Sequence, residues 1–173
     1  MKKHGGMRPR DIAILLAIMM KSDAPWMMKD LAHELGISTS EVSESLHKSY
    51  VAGLINKPKR KVMLHELLEF IVYGVCYVFP QEPGAMVRGV PTAISAPPLN
   101  KLIMGSEKLV WPYAKGTERG QAIEPLYPSV VEACIDNPEL QELLALVDAL
   151  RVGRVREREL AKVELRKRIL DGR

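Results

Sequence analysis

The segment from Met27 to Lys61, MMKDLAHELGISTSEVSESLHKSYVAGLINKPKRK, allows few folds, because it sets two short helical patterns, a sharp turn and a basic strand-turn-strand in fixed order. The first pattern carries Leu31 and Leu35 on one side, and Gly36 supplies the backbone freedom that a tight interhelical turn requires. Ser38 and Glu41 then have the spacing of a capping box. The Ser38 hydroxyl can accept the Glu41 amide hydrogen while the Glu41 carboxylate reaches back, so a second helix is predicted to begin at Thr39. Val42, Leu46 and Tyr50 fall on its inner face. Thr39, Ser40, Ser43, Glu44, His47 and Lys48 fall on the other, with Ser38 at the cap. Small, hydrogen-bonding side chains of this kind are what a DNA major groove accepts.

Gly53 ends that helix and Leu54-Ile55 starts a short apolar strand, after which Lys57-Pro58-Lys59-Arg60-Lys61 turns the chain back towards Val62-Met63. Four cations at a hairpin tip have a direct use, since phosphates flank any groove the preceding helix enters. Over residues 9 to 63 the chain resembles the winged-helix transcriptional regulators of the MarR type and their relatives, on LAHELGISTSEVSESL, AGLI and the basic turn. The resemblance implies a winged helix-turn-helix domain over residues 8–63 with double-stranded DNA as its partner. Ser38, Thr39, Ser40, Ser43, Glu44, His47 and Lys48 would belong to a recognition helix, Lys57, Lys59, Arg60 and Lys61 to the wing, and Arg8 and Arg10 to further contacts with the DNA backbone. One position departs from the pattern. Where such regulators often carry Arg or Lys, this chain has Glu44, which suits acceptance from a cytosine amino group or a module that docks protein.

Upstream, Pro9 and Asp11 suit the first turn of a helix, with Ile12, Leu15, Leu16 and Met19 as its buried stripe; Trp26 is expected to pack beside the following helix. Downstream, residues 64–79 begin with LHELLEFIVYGVCYV, a helix from Leu64 to Val78 so apolar that it must be covered on several sides, as core or as a dimer face. Residues 80–128 are rich in Pro and Gly and read as an ordered arm and long irregular loops, with one short strand at most. Residues 129–173 turn helical again, with a start at Pro138, a stripe of Leu140, Leu143, Leu144, Val147 and Leu150, and then a charged helix with Val155, Leu160, Val163 and Ile169. That helix reads as solvated; a sharper reading makes Arg151, Arg154, Arg156 and Arg158 a surface for an acidic partner or DNA backbone. The expected class is therefore mainly α (α+β).

Charge divides the 173 residues in three. Residues 1–63 carry 11 basic against 6 acidic side chains, residues 64–150 carry 5 against 11, and residues 151–173 carry 9 against 4. Basic ends bracket an acidic middle, as expected of an amino-terminal part that faces phosphate. An apolar content of 47% argues against disorder. No run of 18 uncharged apolar residues exists and MKKHGGMRPR has no apolar secretion core, so a cytoplasmic protein without a membrane partner is expected. Cys76 and Cys134 lie far apart without His or Cys at ligand spacing, which suggests two buried thiols and neither metal nor cofactor.

Little in the chain suggests an enzyme. It has no phosphate-cradling glycine loop, HExxH or GxSxG, and His4, His33, His47 and His65 do not cluster in sequence. Arg60 and His65 have the RxxxxH spacing of HEPN ribonucleases by chance, since Arg60 falls in a turn. The expected function is sequence-specific regulation of transcription, by repression, as a homodimer joined through the Leu64–Val78 helix and the Leu140–Leu150 stripe. The alternative is a partner-binding regulator of antitoxin type whose carboxy-terminal two thirds docks another protein.

Overall fold

A computed structural model describes residues 5–172, so His4 and Arg173 lie outside the described residues. Among these the chain is mainly helical with one small sheet, and it forms two compact units, one ending at Leu67 and one beginning at Leu68.

The first unit holds α1 (Pro9–Met20), α2 (Met28–Leu35) and α3 (Thr39–Val51), with α2 and α3 packed on each other and on α1. Asp11 begins α1 as expected, its carboxylate accepting the Arg8 amide hydrogen at 2.7 Å. The α1 stripe proves too narrow. Every residue from Asp11 to Ile18 is buried, whereas Met19 is only half-buried. Gly36 takes left-handed angles, φ 65° and ψ 34°, and its amide with that of Ile37 satisfies the last carbonyls of α2. α3 begins at Thr39, and the Ser38–Glu41 box closes in both directions.

The boundary between the units falls inside α4 (Leu64–Val78), whose limits match the sequence expectation. In the second unit, β1 (Met86–Pro91), β2 (Leu109–Pro112) and β3 (Glu118–Ala122) close on one another, β1 antiparallel to both neighbours and β2 parallel to β3. This corrects the reading of residues 80–128 as an arm and loops. Closure of so few strands needs glycine at the crossings: a Cβ on Gly89 would lie 2.0 Å from the Trp111 carbonyl oxygen, and one on Gly116 2.2 Å from that of Gly89. α5 (Val130–Ile135), α6 (Pro138–Val152) and α7 (Val155–Leu170) follow. α6 is the axis of this unit, packed against α5, α7 and the 3-10 turn Ala93–Ser95, and every residue from Leu143 to Arg151 is buried.

That burial corrects two expectations. The stripe Leu140, Leu143, Leu144, Val147 and Leu150 is consumed by the chain's own core and leaves no dimer face. Arg151 is no surface cation either. Its guanidinium pairs with Asp148 Oδ1 at 2.7 Å and donates to the carbonyl oxygens of Phe79 (2.9 Å) and Glu124 (3.2 Å). Asp148 Oδ2 accepts from the Thr92 hydroxyl (2.8 Å) and the Trp111 indole N–H (2.6 Å). Burial pushes the Asp148 carboxyl above its ordinary value, and the Arg151 guanidinium with the Thr92 and Trp111 donors pulls against it. Of the remaining arginines, Arg154 is exposed and 3.3 Å from Glu107, Arg156 is exposed, and Arg158 is half-buried. On α7 the buried face is Ala161, Leu165 and Ile169; Val155 and Val163 are 79% and 50% exposed, so only Ile169 of the apolar residues picked from sequence is fully buried.

Replacing Asp148 with Ala leaves the Arg151 charge in a dry site without its partner, an expected loss of about 3–5 kcal/mol in urea unfolding. Thr92→Val should cost about 1 kcal/mol, since two donors to Asp148 remain. A wild-type midpoint for Asp148→Ala would show that the network carries no stability. Thiol labelling of the folded chain should also separate the two cysteines. Burial, with the nearby Asp148 charge, pushes the Cys134 thiol up to about 12, so Cys134 should stay unmodified at neutral pH while the half-buried Cys76 reacts.

Candidate nucleic-acid interface

The outer face of α3 is fixed from its first residue. Ser38 Oγ accepts the Glu41 amide hydrogen at 3.2 Å, and Glu41 Oε2 accepts from the Ser38 amide and hydroxyl at 2.9 Å each. These hydrogen bonds, led by the one from the Ser38 backbone, hold the Glu41 carboxyl below its ordinary value of 4.5. With the helix so capped, Ser38, Thr39, Ser40, Ser43 and His47 are exposed as the periodicity predicts. Tyr50, expected inside, is exposed, and Ser45 and Ser49 take buried places beside Val42 and Leu46.

Two of the expected charged contacts are spent elsewhere. Lys48 is 8% exposed, with its ammonium 3.0 Å from Glu44 Oε1, so it is not a groove-facing cation. The cause is position: four residues after Glu44, it lies on the flank of α3 that turns inward. Glu44 also stands 3.7 Å from Arg10 and 3.9 Å from Arg8, and Arg10, only 16% exposed on its side chain, pairs with Glu41 as well. Three cations thus surround two carboxylates. The acidic position that departs from the winged-helix pattern is neutralised within its own unit, and Arg10 is held by that cluster instead of reaching into solvent.

The hairpin after α3 is smaller than two strands. Ile55 and Val62 make a single antiparallel bridge, and the Asn56 side chain shapes the tip by accepting the amide hydrogens of Arg60 (2.9 Å) and Lys61 (3.0 Å). Lys59 adopts φ 57°, and its ammonium lies 6.0 Å above the Tyr50 ring. Lys57 and Lys61 are exposed, the latter 3.6 Å from the equally exposed Asp23, a pair that water and salt largely screen. Arg60 differs from the lysines. It stacks 4.8 Å from the Trp26 ring centre and donates to the Trp26 carbonyl oxygen at 2.9 Å, while the indole N–H reaches the Arg60 carbonyl oxygen at 3.4 Å. The four cations of the tip therefore split into one staple and three lysines that take no part in it. Trp26 and Arg60 stand 34 residues apart, and no local pattern in the sequence could have paired them.

The result is a row of hydroxyl and imidazole groups on a capped helix beside lysines on a short hairpin. Such a surface can offer hydrogen bonds to base edges from the first and neutralise phosphates with the second. Among the described residues no group of His, Cys, Asp and Glu is arranged to hold a metal ion, and no helix is long and apolar enough to cross a membrane.

Arg60→Lys keeps the charge but loses the flat stack and the fixed fork, and should lower the thermal stability by about 1 kcal/mol; equal melting of both proteins would remove the staple. Glu41 contributes stability that is present above pH 4.5 and lost as pH falls through its lowered folded value, because the folded state binds that proton less readily. Glu41→Gln should therefore show a shallower loss of stability on acidification than the natural chain, read by circular dichroism at several pH values. No family model, curated protein or solved structure matches this chain.

Proposed function

We propose that the chain is a DNA-binding transcriptional regulator whose first unit works as a winged helix-turn-helix, MarR-like in its use of α3 and the basic hairpin. The observation that carries this reading is the outward row Thr39, Ser40, Ser43 and His47 on a capped helix, set behind a left-handed turn at Gly36 and followed by the lysine tip. In this reading Ser43 and His47 meet base edges, and Lys57, Lys59 and Lys61 meet phosphate. Arg60 supports the tip through Trp26. Arg8 keeps an exposed, partly paired guanidinium that can still reach backbone phosphate.

One recognition helix reads only a few base pairs, so the regulator acts as a homodimer on two half-sites about 34 Å apart, repressing where it blocks polymerase. With the α6 stripe inside the core, the dimer in this reading uses α4, where Tyr73 and Tyr77 are 69% and 82% exposed and Val78 is exposed too. A monomer in sedimentation at tens of micromolar would overturn the dimer and favour a protein-docking regulator of antitoxin type.

Two variants test the reading. Replacing Lys57, Lys59 and Lys61 together with Ala should weaken binding to every DNA sequence and flatten the log-log salt dependence by about 0.9 for each phosphate that is no longer neutralised. Unchanged affinity and slope would exclude the hairpin from the interface. Ser43→Ala with His47→Ala should instead change which sites are chosen, at about 1–3 kcal/mol of discrimination for each well-placed base contact. If selection from randomised duplexes returns the wild-type motif, α3 does not read bases.

A further inference from the structure

Strands β1 and β3 place two arginines directly opposite each other. Arg88 and Arg119 are register partners in the antiparallel pair, and both are exposed. Opposed residues of such a pair point to the same side with Cβ atoms about 5 Å apart, where like charges destabilise the sheet. On the other flank of Arg88 the β1–β2 register continues to Tyr113, whose amide donates to the Arg88 carbonyl oxygen at 3.1 Å. Strands β3 and β1 and the residue just past β2 thus set Arg119, Arg88 and the half-buried Tyr113 in one transverse row. Lys115, exposed, sits in the turn closed by the bond from the Gly116 amide to the Tyr113 carbonyl oxygen (2.9 Å).

Nearby acids do not answer this charge. Glu118 pairs with Lys108 and Glu107 with Arg154, whereas Arg88, Lys115 and Arg119 have no ion-pair or side-chain hydrogen-bond partner among the described residues. The row is also held in shape, since the backbone at Gly116 lies against that of Gly89 too closely for any Cβ. A sheet that keeps an unanswered like-charged pair beside an aromatic ring has the makings of a strand-binding platform.

We propose that this face of the second unit binds a single-stranded nucleic acid, with a base stacked on Tyr113 and neighbouring phosphates on Arg88 and Arg119. Two fork-shaped guanidinium groups match phosphate oxygens, and a ring at the end of the row stacks on a base only where that base is unpaired. The site is separate from the duplex-reading surface of α3 and does not rest on it.

The test is fluorescence anisotropy of the full chain with labelled dT12 and rU12, which also separates a DNA from an RNA preference. Arg88→Ala with Arg119→Ala should weaken binding roughly tenfold and flatten the salt slope by about 1.4, the value for two phosphates on a single strand. Tyr113→Leu should weaken it roughly fivefold or more, with Tyr113→Phe restoring it through the ring. Arg119→Glu turns the like-charged pair into an ion pair, so it should melt no lower than the natural chain and yet bind both oligonucleotides at least roughly tenfold more weakly. The Lys57, Lys59 and Lys61 alanine variant should bind as the natural chain does. No binding of either oligonucleotide, equal binding of poly-glutamate, loss of binding in the lysine variant, or a folded Arg119→Glu that binds as tightly as the natural chain would each overturn the proposal.

Discussion

The second unit depends on one buried carboxylate. Asp148 lies on the central helix α6 and accepts from Thr92 just after β1, from Trp111 on β2 and from Arg151 one turn along its own helix, while Arg151 ties down the carbonyls of Phe79 after α4 and Glu124 after β3. Segments far apart in sequence therefore meet at one residue. A core of leucines alone would tolerate small slips of the strands against α6, because apolar contact is not directional. Directed hydrogen bonds to a single acceptor do not. The network costs desolvation of two charges, so its value lies in fixing one arrangement of three short strands that have little ladder of their own.

The first unit solves an opposite problem, placing charge so that it does not act. In the proposed reading Glu44 would repel phosphate, and Arg8, Arg10 and Lys48 gather round it. What remains exposed on the outer face of α3 is a set of hydrogen-bonding groups, the hydroxyls of Thr39, Ser40 and Ser43 and the His47 imidazole. In that reading, specific contact and electrostatic attraction are thereby divided between the helix and the hairpin.

Much of this is legible in the amino-acid order alone. The helix starts at Thr39, Leu64 and Pro138 rest on local signals, namely a capping box, an apolar run and a proline after an Asn cap, and local signals survive folding. The strands are hidden for a physical reason. MVRGVP, LVWP and ERGQA are short, interrupted by Gly and Pro and without clean alternation, since their glycines serve the crossings of a tight closed sheet. Long-range pairings are equally silent. Arg60 on Trp26 and Arg151 on the Phe79 and Glu124 carbonyls engage cations that composition counts as free surface charge, and the narrow apolar face of α7 slips by a fraction of a turn among dense charges.

The hairpin tip also says how such a surface can change over time. Its shape is set by the Asn56 carboxamide and the Trp26–Arg60 stack, and none of Lys57, Lys59 or Lys61 has a side chain that holds the turn together. Side chains at those positions can therefore be exchanged with small cost to folding, apart from the left-handed backbone at Lys59, which Gly or Asn would accept more readily than a branched residue. Shape and charge are inherited separately here. A lineage could raise or lower the grip of this surface by single substitutions while the frame that aims it stays the same.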